Sequence, residues 1–265
     1  MHFRHFLTFL ILVNSYFLMA QDCCFKNAHS HNDYKQKHPL SDALKNKFNS
    51  IEVDVFLINN QLIVSHVHPL FKTQNTLENL YLNPLLDTCL KNNGHVYKNC
   101  EESIILLIDI KSAADKTYLE LKKTFEKYKS ILSKYENGKV SNGAVTIILS
   151  GNKPYEALQK DSLRYAFIDQ SLLSLDKSFN NSVCKMASTK YSNILSWKGK
   201  GEIPKGEKEK LISLVNQAHL QGKQVRLWAS PENKNVWKEL LNCGVDLITT
   251  DKLEELNLFL KENKK

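Results

Sequence analysis

Two short stretches carry the groups best suited to chemistry. "AHSHNDY", residues 28–34, sets His29 and His31 two positions apart, and "IEVDV", residues 51–55, does the same for Glu52 and Asp54. Alternate residues of a strand share a face. Each pair therefore points to one side, while Ile51, Val53 and Val55 turn to the other. "LIDIK" adds Asp109 and Lys111 on a common face. Three carboxylates gathered on one surface repel at neutral pH unless a cation joins them or a proton is bound. Ligation by oxygen alone suits a hard divalent ion, Mg²⁺ or Ca²⁺. Ion pairs with lysines at exposed strand ends would account for any one of these acids, but less well for three together.

His66 closes "LIVSH" at the end of a strand and adds a second imidazole. A divalent ion and two histidines suffice for phosphodiester cleavage. The ion polarises the phosphate, one imidazole takes a proton from the nucleophile, and the other protonates the leaving oxygen. Imidazole suits both tasks because it titrates near neutrality. His38, His68, His95 and His219 show no comparable pattern and read as structural.

The elements that must position these groups alternate along the chain. "FKNAHS", "SIEVDVFL", "SIILLIDIK", "AVTIILSG", "YAFID", "QVRLWAS" and "GVDLITTD" read as strands, with "VCKMASTK" and "NILSWKG" weaker candidates between them. "QLIVSHV" pairs with the second strand as a hairpin across "INN". Helical periodicity separates them: in "PLSDALKNKF", in "TLENLYLNPLLDTCLKNN" with a break expected at Pro84, in about 115–135, after Pro154, in "EKLISLVNQAHLQ", in "PENKNVWKELLN" and from about Leu253. Repeated strand–helix alternation implies a parallel sheet with right-handed crossovers. Eight strands fit an α/β fold of one (β/α)₈ TIM barrel over residues 21–265, with its site at the C-terminal strand ends. A doubly wound sheet is the second choice, because no glycine-rich loop follows the first strand.

The first 20 residues have a basic start, an apolar run from Phe6 to Val13 and Ala20 before Gln21. They read as a cleaved signal peptide, so an exported protein, periplasmic or secreted, is expected. Net charge is +8, yet arginine occurs only at positions 4, 164 and 226. Arginine is the preferred reader of phosphate and bases, so nucleic acid is not expected as a partner. The positive charge favours anionic substrates or peripheral membrane contact instead. A monomer acting on a phosphodiester or phospholipid-derived small molecule is expected. Six cysteines lie beyond residue 20; closure of a barrel would bring Cys23 and Cys24 towards Cys243, where a disulfide is expected, and a second is expected between Cys89 and Cys100 across a loop.

In this order, "AHSHNDY…HPLSDAL", "SIEVDVFL…LIVSH", "TLENLYLNPLL", "LIDIK", "RLWASPE" and "GVDLITTD" resemble a known family. It is the glycerophosphodiester phosphodiesterase branch of the phosphatidylinositol-specific phospholipase C-like phosphodiesterases, and within it the exported group with an HSHNDY signature. The resemblance implies acid–base roles for His29 and His66, and a divalent ion on Glu52, Asp54 and Asp109. His31, one pleat beyond His29, would share or replace its role. Lys111 would offset phosphate charge, and Trp228 would wall the alcohol part of a substrate. Relatives usually carry Arg-Gly where Ser30 and His31 stand, and Asp where Val67 stands. The function implied is metal-dependent hydrolysis of a glycerophosphodiester or phospholipid headgroup. A non-catalytic barrel holding a phospho-ligand, or a sphingomyelinase D-like phospholipase, are the alternatives.

Overall fold

The structure is a computed structural model that describes residues 24–69, 74–176 and 178–263. The chain opens with β1 (Phe25–Ser30), α1 (Ser41–Lys45) and the hairpin of β2 (Phe48–Ile58) and β3 (Gln61–Val64). Then come α2 (Asn83–Lys91), β4 (Ile104–Ile110), α3 (Ala114–Lys127), β5 (Lys134–Glu136), β6 (Lys139–Ser141) and β7 (Val145–Gly151). They are followed by α4 (Tyr155–Lys160), β8 (Leu163–Arg164), β9 (Ala166–Ser171) and β10 (Cys184–Lys190). The chain ends with α5 (Lys205–His219), β11 (Gln224–Trp228), α6 (Lys234–Asn242), β12 (Leu247–Thr250) and α7 (Leu253–Glu262).

Eight of these strands pair in parallel in the order β1-β2-β4-β7-β9-β10-β11-β12, and β12 pairs back onto β1. The sheet is thus a closed (β/α)₈ barrel. Strand β3 extends β2 antiparallel, through a turn whose Asn59 and Asn60 have φ of 48° and 60°. Two successive positive φ values make the type I′ turn that matches strand twist.

Alternation sorts every barrel strand into an inner and an outer face. Ile51, Val53 and Val55 are fully buried against the helices. Inside, Ile105, Leu107, Ile148, Met186 and Leu247 form a separate apolar plug. Burying each such side chain contributes roughly 1.5–3 kcal/mol. The inward positions one pleat further towards the C-terminal ends are Glu52, Asp109, Ser150, Asp169, Ser188, Arg226 and Thr249. The plug is therefore the floor on which the polar groups stand.

Three local expectations change. Pro84 does not interrupt a helix: it lies in the first turn of α2, where a missing N–H is harmless, after a π-helical turn over Glu78–Leu82. The helix expected over about 115–135 stops at Lys127, because Asn137 (φ 50°) and Gly138 (φ 81°) fold the following residues into the β5–β6 hairpin. "NILSWKG" is not a strand; its first residue, Asn193, ends a 3₁₀ turn over Tyr191–Asn193.

The cysteine expectations are also corrected. Cys89 and Cys243 are buried free thiols. Neither expected pairing forms, and Cys100 is held in a disulfide that does not include Cys89. Cys23 lies outside the described residues, as does the stretch read as a signal peptide.

Candidate active site

Register brings the acids together. Asp54 of β2 lies directly beside Asp109 of β4, and neighbouring strands are only about 4.8 Å apart. Glu52 stands one pleat below Asp54, and one oxygen from each of the three carboxylates falls within 4.8 Å of the others. Gly151, opposite Ile110 on β7, makes room for this: its φ is +68°, and a Cβ there would overlap Oδ1 of Asp109.

Each acid is satisfied on one side. Asp54 Oδ2 accepts from the Tyr34 hydroxyl at 2.8 Å, with His66 Nδ1 at 2.9 Å and Lys111 Nζ at 3.5 Å. Asp109 Oδ2 accepts from Lys111 Nζ at 2.7 Å. Oδ1 of Asp54 and Oδ1 of Asp109 are buried with no hydrogen-bond partner among the described residues. Burial raises the Asp109 carboxyl above its ordinary value, with Lys111 only partly offsetting it. Two orphaned carboxylate oxygens beside a third acid are what a hard cation requires. The donor set fits Mg²⁺ or Ca²⁺.

The first-strand histidines divide by depth. His29 is 0% exposed and both its ring nitrogens are engaged: Nδ1 lies 2.7 Å from Ser50 Oγ, and Nε2 lies 3.0 Å from Glu52 Oε2 and 3.0 Å from Arg226 Nη1. A neutral ring can donate to the carboxylate or accept from the guanidinium, but not both at once. Burial pushes the His29 imidazole down to about 4, against the pull of Glu52. Burial also opposes ionisation of Glu52, but the Arg226 guanidinium at 2.7 Å and the His29 contact outweigh it and hold the carboxyl well below its usual range. The His29–Glu52–Arg226 group is thus a buried brace crossing from β11 to β1 and β2.

His31, by contrast, lines an open cavity of about 510 Å³. Its Nδ1 donates to Asp251 Oδ1 at 2.8 Å. Burial works against its protonation, but that bond and the nearby charge of Glu52 raise it above its ordinary value. Asn32, left-handed at φ 46°, and buried Asp33 shape the exit turn; Asp33 accepts from Ser30 Oγ, Leu40 N and Tyr81 Oη. His66 faces the same cavity, with its side chain 55% exposed. Lys111 and Trp228 line it too, the indole 40% exposed and lying under Lys190 Nζ at 5.9 Å.

Sequence reasoning missed two inward residues, Arg226 and Asp169. The signals were present. Arg226 is the one barrel-strand arginine that shares a face with Trp228, and "YAFID" ends an apolar strand on a carboxylate just as "LIDIK" does.

A closed parallel barrel with three acids and two imidazoles at its C-terminal mouth defines the class: a barrel of phosphodiesterase type. A family model described as the AIM6-like phosphodiesterase domain matches residues 18–169, more than half of the chain, and the chain belongs to that family. A model of the glycerophosphoryl diester phosphodiesterase family matches residues 224–254. The protein "Altered inheritance of mitochondria protein 6" of Eremothecium gossypii is 29% identical over 87% of this chain and 68% of its own length. Its namesake in Lachancea thermotolerans is 28% identical over 86% of this chain and 64% of its own. This chain thus spans about two thirds of these relatives. A glycerophosphodiester phosphodiesterase structure from Parabacteroides distasonis shares the fold at a TM-score of 0.55 and 15% identity, over 91% of this chain and 99% of that one.

The resemblance read from the motifs is borne out at the level of this superfamily. The expected export is not. The curated relatives are named for the inheritance of mitochondria, a trait of the cell interior, which overturns a periplasmic or secreted location. An apolar run of eight residues after a basic start is a local pattern that export does not monopolise.

Proposed function

We propose that this chain is a divalent-cation-dependent phosphodiesterase acting on a glycerophosphodiester or a phospholipid headgroup. One observation carries the reading: the buried Oδ1 atoms of Asp54 and Asp109, without a hydrogen-bond partner among the described residues, lie beside Glu52 under a cavity fronted by two histidines. Glu52, Asp54 and Asp109 would hold the ion, which when bound polarises the phosphate and neutralises its developing charge.

The acid–base pair in this reading is His31 and His66. His29 has no ring nitrogen left for a substrate, so its work is to brace Glu52. His31, tied to Asp251, favours its charged form and suits the general acid that protonates the leaving alcohol oxygen. His66, oriented by Asp54, suits the base that takes a proton from water or from a neighbouring substrate hydroxyl. The new P–O bond forms as the opposite P–O bond breaks, and the proton that His31 gives to the leaving oxygen is balanced by the one that His66 takes from the nucleophile. Lys111, Lys153 and Lys190 line the cavity and offset the phosphodiester charge, while the Trp228 ring offers an apolar wall.

A panel of glycerophosphodiesters with Mg²⁺ or Ca²⁺ tests this. Turnover should vanish with a chelator, and His31→Ala and His66→Ala should each lower kcat by about 10²-fold or more. Full activity in either variant removes the mechanism. The complete burial of His29 favours one rival, a barrel that binds a phospho-ligand without cleaving it; that rival predicts binding with no turnover in the same panel.

A further inference from the structure

The cavity has a second half. Opposite the acids, strands β9 and β10 present Asp169, Ser171, Ser188 and Thr189, with Lys153 from the loop after β7 and Lys190 at the rim. Asp169 is only 2% exposed. Its Oδ2 accepts from Ser188 Oγ, while its Oδ1 has no hydrogen-bond partner among the described residues. It stands apart from the cation cluster, which comprises Glu52, Asp54 and Asp109.

A buried carboxylate oxygen without a donor costs about 1–3 kcal/mol or more, so its place on a cavity wall calls for a donor from a ligand. A cationic group is a poor candidate once a divalent ion holds Glu52, Asp54 and Asp109, because the charges then left on the cavity wall include Lys153 and Lys190. A neutral hydroxyl meets no such repulsion. The serine and threonine hydroxyls beside Asp169, which both donate and accept, suit a group bearing several hydroxyls. The Trp228 face suits that group's C–H surface.

We propose that Asp169 is a specificity-determining residue that accepts a hydrogen bond from a hydroxyl on the substrate's alcohol portion. The site then selects phosphodiesters of polyhydroxylated alcohols over those of quaternary-ammonium alcohols. Ser188 holds the carboxylate in place for this contact. A site built to bond a hydroxyl rejects analogues that lack it, because its own polar group is then left unpaired. The inference rests on the phosphodiesterase reading of the cavity.

Two chromogenic esters with the same reporter group test it: 4-nitrophenyl phosphoglycerol and 4-nitrophenyl phosphocholine, with Mg²⁺ or Ca²⁺ present. The wild type should favour the glycerol ester in kcat/KM by about 10-fold or more. Asp169→Leu, similar in size and without an acceptor, should erase that preference by losses on the glycerol ester alone. No preference in the wild type, or equal losses on both esters, overturns the proposal while leaving the hydrolytic reading intact. If neither ester turns over, the hydrolytic reading fails and calorimetry decides, with glycerol phosphate and phosphocholine as probes. A preference for glycerol phosphate that Asp169→Leu removes supports the proposal; equal binding, or none, overturns it.

Discussion

Replacing Asp109 by Asn should stabilise the cation-free protein and abolish its further stabilisation by divalent cations. Without a cation, Asp54 and Asp109 face one another across adjacent strands, with carboxylate oxygens within 4.8 Å. Two like charges at that separation repel by about 1–3 kcal/mol over the range between bulk water and a protein surface. Glu52 adds less, since Arg226 already neutralises it. Asp109→Asn removes the repulsion but also the Lys111 ion pair at 2.7 Å, a partly exposed contact worth about 0–1 kcal/mol. The cation-free variant should therefore gain about 1 kcal/mol, or roughly 2–4 °C in Tm for a chain of this size. With a cation at about 100 times its Kd, the wild type should gain about 2.7 kcal/mol, or roughly 5–10 °C, and the variant little. Thermal melts with and without Mg²⁺ or Ca²⁺ check both signs. A variant less stable than the wild type without cation, or equally stabilised by it, would refute the argument that these carboxylates form one cation site.

Gly151→Ala is expected to cost at least about 1 kcal/mol, since alanine resists a positive φ. It should also abolish cation stabilisation by displacing the Asp109 carboxylate; melts with and without cation measure both. Acid should undermine the buried brace. His29 titrates at about 4 in the folded protein against 6.5 when unfolded, so its contribution is complete above pH 6.5 and about 3 kcal/mol of it is lost by pH 4. Glu52, also depressed, extends the loss below its ordinary range. Asp109 and Asp169, raised by burial, act with the opposite sign, so the check is residue-specific: by NMR the His29 ring should remain neutral at pH 5, and titration between pH 6 and 7 would contradict the brace.

Much of the site was legible because strand periodicity is a local property. Two-residue spacing alone placed Glu52 with Asp54, and Asp109 with Lys111, on common faces, and the alternation of strands with helices announced the barrel. Periodicity also put His29 and His31 on one face, and the structure agrees. Depth along the barrel axis was invisible to it. Only closure of β12 onto β1 buries His29 beneath the cavity while leaving His31 at its wall, and only closure brings Arg226 across to Glu52 and His29. Which acids cluster, which of them also joins a brace and which, like Asp169, keeps one buried oxygen without a donor among the described residues depends on neighbours distant in the chain. Burial and charge pairing arise from through-space packing, and no local pattern of residues encodes them.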